Sequence, residues 1–496
     1  MPDYLRALIY TLIVTLPALF VAGRVAVPTI DAREFRVWSV CWVATMVAAF
    51  LAPSFMVFSL LLVPICIYGN ISAKQPLYLF VVLMFAAPCC SVLFGIPGLM
   101  HSIVYLDPPR LLVILVLLPV ALSLLGDRDN RRLSLMDLLL VGYVVLTALL
   151  ATRLVGMNDL LRQLASNVLT MVIPYFVFSR AIRSKEDVNR LLLAFVVASM
   201  PLATLGVFEV LKGWRVYVTI LDRWEIPMLT AYLFRDGMLR ASTSAIESIA
   251  FGFLCMTGTA CLFLLNTGRS DIWRKVAIGI MLCGLLSSLS RGPWLGFALF
   301  LAILFGANLK ASFKYVALGA AAIMVVLLSS PSLMGRFVNL LPFVGSADRG
   351  SESYRSELFE RSLMVIQRNP LFGSVNFMKA HELQAMIQGQ GIIDIVNTYL
   401  QISLEFGLIA LALFVAFFGL VTAKLAIMSL RTSAPEANHL GVAALLLAIL
   451  FTIATTSSVT VIPYIYWTVA GLAVALIRKA PVVVPPPRMR VVGARF

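Results

Sequence analysis

Long apolar runs separated by short polar segments recur along the whole chain. They lie near 7–23, 37–52, 54–68, 77–95, 109–125, 134–152, 163–180, 189–211, 246–265, 275–289, 291–307, 315–330, 407–428, 440–457 and 460–477. Most are long enough, as helices, to cross about 30 Å of hydrocarbon. The pair flanking Pro53 is barely so. The pattern predicts about 14 transmembrane helices, within a range of 13–15. Apolar residues run continuously instead of alternating with polar ones, which excludes a transmembrane β-barrel.

Length alone, 496 residues, would suggest about three soluble domains. Composition overrules that: 61% of residues are hydrophobic, 13% are charged, and the mean hydropathy is +0.96. A soluble chain carries about a quarter charged residues. The expected fold class is an all-α polytopic integral membrane protein with one long structured loop facing outward. A soluble enzyme, a nucleic-acid-binding module and a disordered scaffold are excluded.

The net charge of +15 is a topology signal. Segments 24–36, 69–76, 126–133, 180–190, 266–275, 308–314, 424–439 and 478–496 together hold 23 Lys+Arg and 8 Asp+Glu. The remainder holds 16 of each, so one face carries the whole excess. The positive-inside rule makes that face cytoplasmic. The chain then divides into N-terminal spans (1–211), an outward basic loop (212–245), spans 246–330, a large outward loop (331–406), C-terminal spans (407–477) and a basic cytoplasmic tail (478–496). Pro485, Pro486 and Pro487 make that tail extended. The cytoplasmic loops are too short for a nucleotide-binding domain.

All seven cysteines fall in predicted spans, where thiols behave as small hydrophobes. His101, His381 and His439 are far apart and no Cys-x-x-Cys pair occurs, so no metal site is expected. Asp127-Arg128-Asp129 has the look of a metal–nucleotide carboxylate pair, but Arg131 and Arg132 crowd it in a short loop. It reads as a solvated, self-paired loop.

The informative residues lie on the outward side, where ionisable groups at a bilayer edge are costly and usually functional. Arg291 sits in Ser288-Leu289-Ser290-Arg291-Gly292-Pro293-Trp294-Leu295-Gly296, whose Gly-Pro step predicts a tight turn or broken helix. As a lipid anchor it would snorkel beside Trp294. As a site residue it would hold phosphate bidentately. The 212–245 loop carries Lys212, Arg215, Arg223, Arg235 and Arg240 against Asp222, Glu225 and Asp236. This surplus does nothing for topology and calls for anionic lipid or an anionic substrate. Glu247 follows at a helix start, where the dipole favours a carboxylate in any case.

The 331–406 loop holds 6 Lys+Arg and 7 Asp+Glu and has more structure than a tether needs. Residues 353–368 predict an amphipathic helix with Glu357 and Arg361 paired at i, i+4. It stops before Asn369-Pro370. A second helical stretch is expected around 378–388, before Gly389 and Gly391 break the chain. Such a loop reads as a lid over an outward cavity.

The Ser-Arg-Gly-Pro-Trp-Leu-Gly segment resembles the Ser-Arg-Gly motif of the O-antigen ligase and Wzy-type O-antigen polymerase superfamily. The loop is similar in order and spacing: Arg355-x-x-x-Phe359, Asn369-Pro370-Leu371-Phe372-Gly373, and Asn397-Thr398-Tyr399-Leu400 before Glu405-Phe406-Gly407-Leu408. Arg240 with its Ser-rich sequel resembles an upstream Arg motif. The resemblance covers about residues 238–420 by motif and the rest by topology only.

The resemblance implies a membrane glycosyltransferase that moves a glycan from undecaprenyl diphosphate at the outer face of a bacterial inner membrane. No cofactor, metal or nucleotide is expected. Membrane lipids surround it, and a chain-length regulator or export complex is a possible partner class for its short basic loops. Arg291 and Arg355 are the candidates for neutralising the leaving diphosphate. Arg240, Arg215, Arg361, Asn397 and Tyr399 are candidate substrate-binding residues. Ligases carry a His before the Asn-x-x-Leu motif, where this chain has Val396. Candidate bases are therefore His381, Asp394 and Glu247, each needing to reach the acceptor hydroxyl. The expected activity is polysaccharide polymerisation. Ligase-type transfer, a small-anion (bicarbonate-like) transporter and a non-catalytic assembly partner are the alternatives. A transporter would place its site at the midplane between repeats, and no internal repeat is evident.

Overall fold

The computed structural model describes residues 1–96, 100–153, 157–227, 234–235, 237–265, 272–306, 349–387, 393–431 and 438–478. The predicted span at 315–330, the Gly389 and Gly391 break, and the tail beyond Arg478 lie outside the described residues. The N-terminal half comprises α1 (Asp3–Ala26), α2 (Ala32–Leu51), α3 (Phe55–Ser72), the short α4 (Leu77–Leu83) and a hairpin of β1 (Val92–Ile96) and β2 (Met100–Leu106). It continues with α5 (Pro108–Leu125, with a π turn at Val113–Leu117), α6 (Leu135–Ala151), α7 (Met157–Asn167, running through a π turn at Val168–Val172 into Ile173–Ala181) and α8 (Lys185–Lys212).

The second half comprises the short α9 (Val218–Arg223), the two-residue strands β3 (Phe234–Arg235) and β4 (Met238–Leu239), α10 (Ser248–Leu264), α11 (Ile272–Ser287) and α12 (Arg291–Gly306). The large loop contributes α13 (Arg349–Arg368) and α14 (His381–Gln384). The bundle closes with α15 (Thr398–Arg431), α16 (His439–Ile453) and α17 (Ile462–Arg478). Seven described helices are long and apolar enough to cross a membrane, and five more are shorter apolar helices. The protein is a multi-pass helical membrane protein.

Local sequence explains the helix ends. Ser134 and Ser184 each form a reciprocal capping box with Asp137 and Asp187, which satisfies backbone donors at the starts of α6 and α8. Gly213, at φ 62°, ends α8 in the left-handed conformation. α8 is the central helix and packs on α1, α10 and α11. Small residues permit this close packing, as membrane bundles require. A Cβ at Gly284 on α11 would lie 2.6 Å from the Ala203 Cα on α8.

The apolar run 77–95 does not form a single span. α4 covers only Leu77–Leu83; the chain then runs irregularly through Pro88 and turns back as the β1–β2 hairpin. Proline removes a donor and blocks helix continuation, and the β-branched and aromatic residues beyond it suit strands. Irregular backbone at membrane depth must be satisfied by protein. Ser244 Oγ donates to Phe85 O (2.5 Å), Tyr217 OH to Ala86 O (3.0 Å), and Cys89 N to Ser244 O (2.9 Å).

Five of the basic segments, 24–36, 69–76, 126–133, 180–190 and the start of 478–496, meet at one end of the bundle. Lys74 pairs with Asp31 at 2.7 Å, Gln75 Nε2 donates to Asp187 (3.2 Å), and Arg183 pairs with Asp127 at 3.4 Å. A buried Arg180–Asp137 pair at 2.9 Å lies just inside, and Arg478 donates to Asp129 O (3.4 Å). Thus Asp127 is engaged by Arg183, and Asp129 lies 3.8 Å from Arg132 in a fully solvated pair. Described parts of the remaining loops gather at the opposite end, and the candidate site is there.

Candidate functional site

Three backbone segments converge at this end: 235–247, 287–292, and a pair formed by 393–397 with 454–457. Arg240 Nη2 donates to Ser290 Oγ (2.9 Å), Arg235 Nη1 donates to Leu289 O (2.7 Å), and Ala241 N donates to Ser287 O (3.1 Å). Arg291 follows directly and opens α12, so three arginines surround one turn. The neighbouring Gly292 packs on Thr455, whose hydroxyl a Cβ there would displace. Ser457 Oγ in the same segment donates to Asp394 Oδ1 (3.2 Å) and to Ile395 O. Thr398 Oγ1 donates to Thr456 O (2.9 Å) and ties the start of α15 to it. Tyr354 OH on α13 donates to Asp394 O (3.5 Å), which brings the half-buried Arg355 beside that carboxylate.

The electrostatics form one chain of alternating charge. Burial raises the affinity of Asp394 for its proton; the Ser457 hydrogen bond and the charges of Arg355 and Arg240 oppose this. Burial also raises Glu247, and the negative charge of Asp394 adds to the rise, while Arg215 and Arg240 oppose it. Both carboxylates lie outside the spanning helices. Glu247 is the residue preceding α10 and its side chain does not cap that helix. Glu247, Asp394, Arg215, Arg240 and Arg355 therefore act on one another, although the chain separates them by up to 179 positions (394 − 215).

A buried acid that sequence reasoning missed holds this arrangement. Glu209, fully buried near the end of α8, accepts from Val216 N (3.1 Å), Ser242 N (3.0 Å) and Thr243 N (3.0 Å). Arg215 works from the other side: its Nε donates to Ser242 Oγ (2.7 Å) and its Nη2 to Ile246 O (2.6 Å). Between these anchors the backbone is strained. Of the five non-glycine residues with positive φ among the described residues, Thr243 (47°), Ile246 (68°), Leu289 (46°) and Thr460 (50°) lie in the three site segments or next to them. Such conformations cost about 1–3 kcal/mol each and persist only where the surroundings over-determine them. The signal for Glu209 was an acidic residue inside an apolar helix, three positions before its C-terminal lysine.

Glu209→Ala leaves three buried N–H groups without their acceptor, at about 1–3 kcal/mol per group. The expected outcome is a lower thermal-unfolding midpoint and faster amide exchange in peptides covering 240–247, with Glu209→Gln intermediate. Unchanged exchange in both variants would contradict the clamp.

The large loop is locked to α15 through two of its motifs. Ser374 N donates to Leu404 O (2.8 Å), Leu408 N to Pro370 O (2.7 Å) and Ile409 N to Leu371 O (3.3 Å). The Asn369–Gly373 turn thus sits in a break of α15 at Gly407, whose φ 81° and ψ 179° are non-helical. Arg153, just past α6, donates to Phe372 O (2.8 Å) and Gly373 O (3.2 Å).

The other candidates stand as follows. Asn397 Oδ1 accepts from Tyr399 N (2.9 Å) and Leu400 N (3.1 Å), capping α15. Tyr399 OH donates to Leu450 O (2.9 Å), and its ring meets Phe414 edge-on at 6.0 Å, between α15 and α16. Arg361 pairs with Glu357 at 2.6 Å and donates to Glu382 O (3.2 Å), inside the loop's own fold. His381 is exposed at the start of α14, where it acts on Glu382. The structure therefore gathers five of the candidates with Ser290 and Ser457, and places Arg291 at the edge of the same cluster.

The structure is a helical membrane bundle that concentrates guanidinium groups and two half-buried carboxylates at one end. Residues 276–415 match the family model described as O-antigen ligase. That stretch runs from α11 past Arg291, Arg355 and Asp394 into α15, and includes every motif noted in the large loop but not Arg240. No curated protein matches the chain. The match supports an enzyme of membrane glycan transfer, of ligase or polymerase type, acting on a lipid-linked glycan.

Proposed function

We propose that this chain is a polysaccharide polymerase that joins undecaprenyl-diphosphate-linked oligosaccharide repeat units at the periplasmic face of the inner membrane. The observation that carries the reading is that Arg240, which donates to Ser290 beside Arg291, acts on both Glu247 and Asp394, with Arg355 brought to Asp394 from the loop. In the transfer, the acceptor hydroxyl oxygen forms a bond to the anomeric carbon and gives its proton to a carboxylate. The bond from that carbon to the donor's diphosphate oxygen breaks, and the electron pair leaves with the diphosphate. Arg291, Arg355 and Arg240 neutralise the charge that develops there. Glu247 or Asp394 takes the proton: burial raises the proton affinity of both, and the negative charge of Asp394 raises Glu247 further.

Ligase-type transfer to a lipid or protein acceptor is the second reading, favoured by the printed description of the matching family. Val396, where ligases carry His, favours polymerisation. One assay separates the two. Purified protein in liposomes receives a polyprenyl-diphosphate-linked repeat unit as sole substrate. Polymerisation yields a ladder of extended chains with release of polyprenyl diphosphate; a ligase yields no ladder until a different acceptor is added; absence of any transfer sinks both.

The pH dependence follows from the carboxylates. Activity is expected to fall on acidification through a pH above the ordinary carboxylate value of about 4. Asp394→Asn removes a negative charge beside Glu247, so with Glu247 as base the acid limb moves to lower pH. With Asp394 as base, the same variant is inactive at every pH. An unmoved limb in a fully active Asp394→Asn enzyme would contradict both roles. Stability has the opposite sign. Groups whose folded proton affinity is raised bind protons more readily folded than unfolded, so their contribution grows as pH falls toward their ordinary values.

A further inference from the structure

The turn at Pro370–Phe372 belongs to the large loop, yet its side chains suit hydrocarbon. Leu371 is 56% and Phe372 46% exposed, in a loop otherwise mixed in charge. Hydrogen bonds from Leu408 N to Pro370 O and from Ile409 N to Leu371 O fix this turn against the first residues of α15 after its break. Leu408 and Ile409 are themselves 43% and 37% exposed. Beyond them α15 carries Lys424 as its single charge before Arg431, a stretch long enough to put Gly407 at the bilayer boundary.

Arg153 supplies a second, independent placement. It stands just past the end of α6, which packs along α15, and its guanidinium donates to the carbonyls of Phe372 and Gly373. A cation at a helix end marks the headgroup level. Leu149, one turn deeper on α6, is 54% exposed. The turn is therefore held where two apolar helices leave the membrane, and its exposed side chains continue their apolar surface.

We propose that Leu371 and Phe372 insert into the adjacent leaflet, so that the large loop is seated on the lipid bilayer and does not stand free in water. The partner is the acyl-chain boundary of the membrane, and the backbone lock at Gly407 with Arg153 sets the depth. This seat stands apart from the reaction proposed above. If that reaction holds, it fixes the loop beside the leaflet through which a polyprenyl-linked substrate arrives.

The test is spin-label accessibility in lipid nanodiscs, using the full chain with Cys283→Ser to remove the one exposed native thiol among the described residues. Labels at Leu371→Cys and, separately, Phe372→Cys are compared with Leu408→Cys on α15 and Glu360→Cys on the exposed side of α13. The backbone carries the lock, so either side chain can change without removing it. The expected result is the several-fold excess of oxygen over nickel-chelate collisions seen at Leu408→Cys. A water-like profile matching Glu360→Cys at both positions would overturn the proposal. Shielding from both reagents would also overturn it, by showing that protein covers the turn.

Discussion

Arg291→Lys and Arg355→Lys are each expected to slow glycan transfer by about 10²-fold or more while the protein accumulates normally. Lysine keeps the charge but loses the planar pair of donors that a diphosphate engages. The two positions differ in what else they do, and that makes the pair informative. Arg291 opens a spanning helix at the turn to which Arg240 and Arg235 also bind, so its position is set by the bundle. Arg355 comes from α13, which Tyr354 ties to Asp394 and whose Leu358 and Val365 pack with Leu400 and Leu404 of α15. Loss in Arg291→Lys with full activity in Arg355→Lys would place diphosphate binding on the bundle alone.

The second large effect is at Gly407. Its φ of 81° with ψ of 179° belongs to a region that only glycine occupies readily. A Cβ there would run into Leu371, with Phe372 N at 2.5 Å, and the reciprocal Gly373 (φ 62°) leaves 2.6 Å to Gly407 N. Gly407→Ala therefore has to break the lock between the loop and α15, not merely strain it. The expected outcome is a loss of about 3 kcal/mol or more from local strain and broken backbone bonds. It is read as a fall in thermal-unfolding midpoint, together with proteolytic cleavage within 369–375. Wild-type resistance at those bonds in Gly407→Ala would show that the loop is held elsewhere.

Much of this architecture was legible in the sequence because bilayer physics constrains sequence tightly. Continuous apolar runs marked the helices, and the charge count grouped the basic segments around Asp31, Lys74, Asp127, Arg183 and Arg478 that meet at one end. The helix before Asn369-Pro370 ends at Arg368, as proline requires. The run at 77–95 misled because hydropathy cannot distinguish a span from a buried half-helix and strand; Pro88 was the only local mark. Asn397 and Tyr399 stand in a conspicuous motif, yet their atoms go to a helix cap and a helix–helix contact. A motif gives residue identity and spacing, not the direction of a side chain.

The site shows the same limit. Arg291 was visible as a costly charge at a bilayer edge, Arg240 as part of an outward surplus of positive charge, Glu247 as an acid at a helix start, and Arg355 and Asp394 only through the motifs of the large loop. Their meeting was not visible, because it depends on Glu209 and Arg215 folding the 213–247 segment back onto the Ser290 turn. Nor does the sequence single out Ser457, one hydroxyl among many, which binds Asp394, or show that the motif serine Ser290 binds Arg240.

The most direct test of lipid-linked glycan polymerisation is complementation of a polymer-deficient bacterial strain with the wild-type chain and Arg291→Lys, scoring polymer length and membrane abundance together. The account predicts long polymer with wild type, and single unextended lipid-linked repeats with an equally abundant Arg291→Lys protein. Wild-type polymer length in the Arg291→Lys strain would contradict it, and would leave that arginine a lipid anchor.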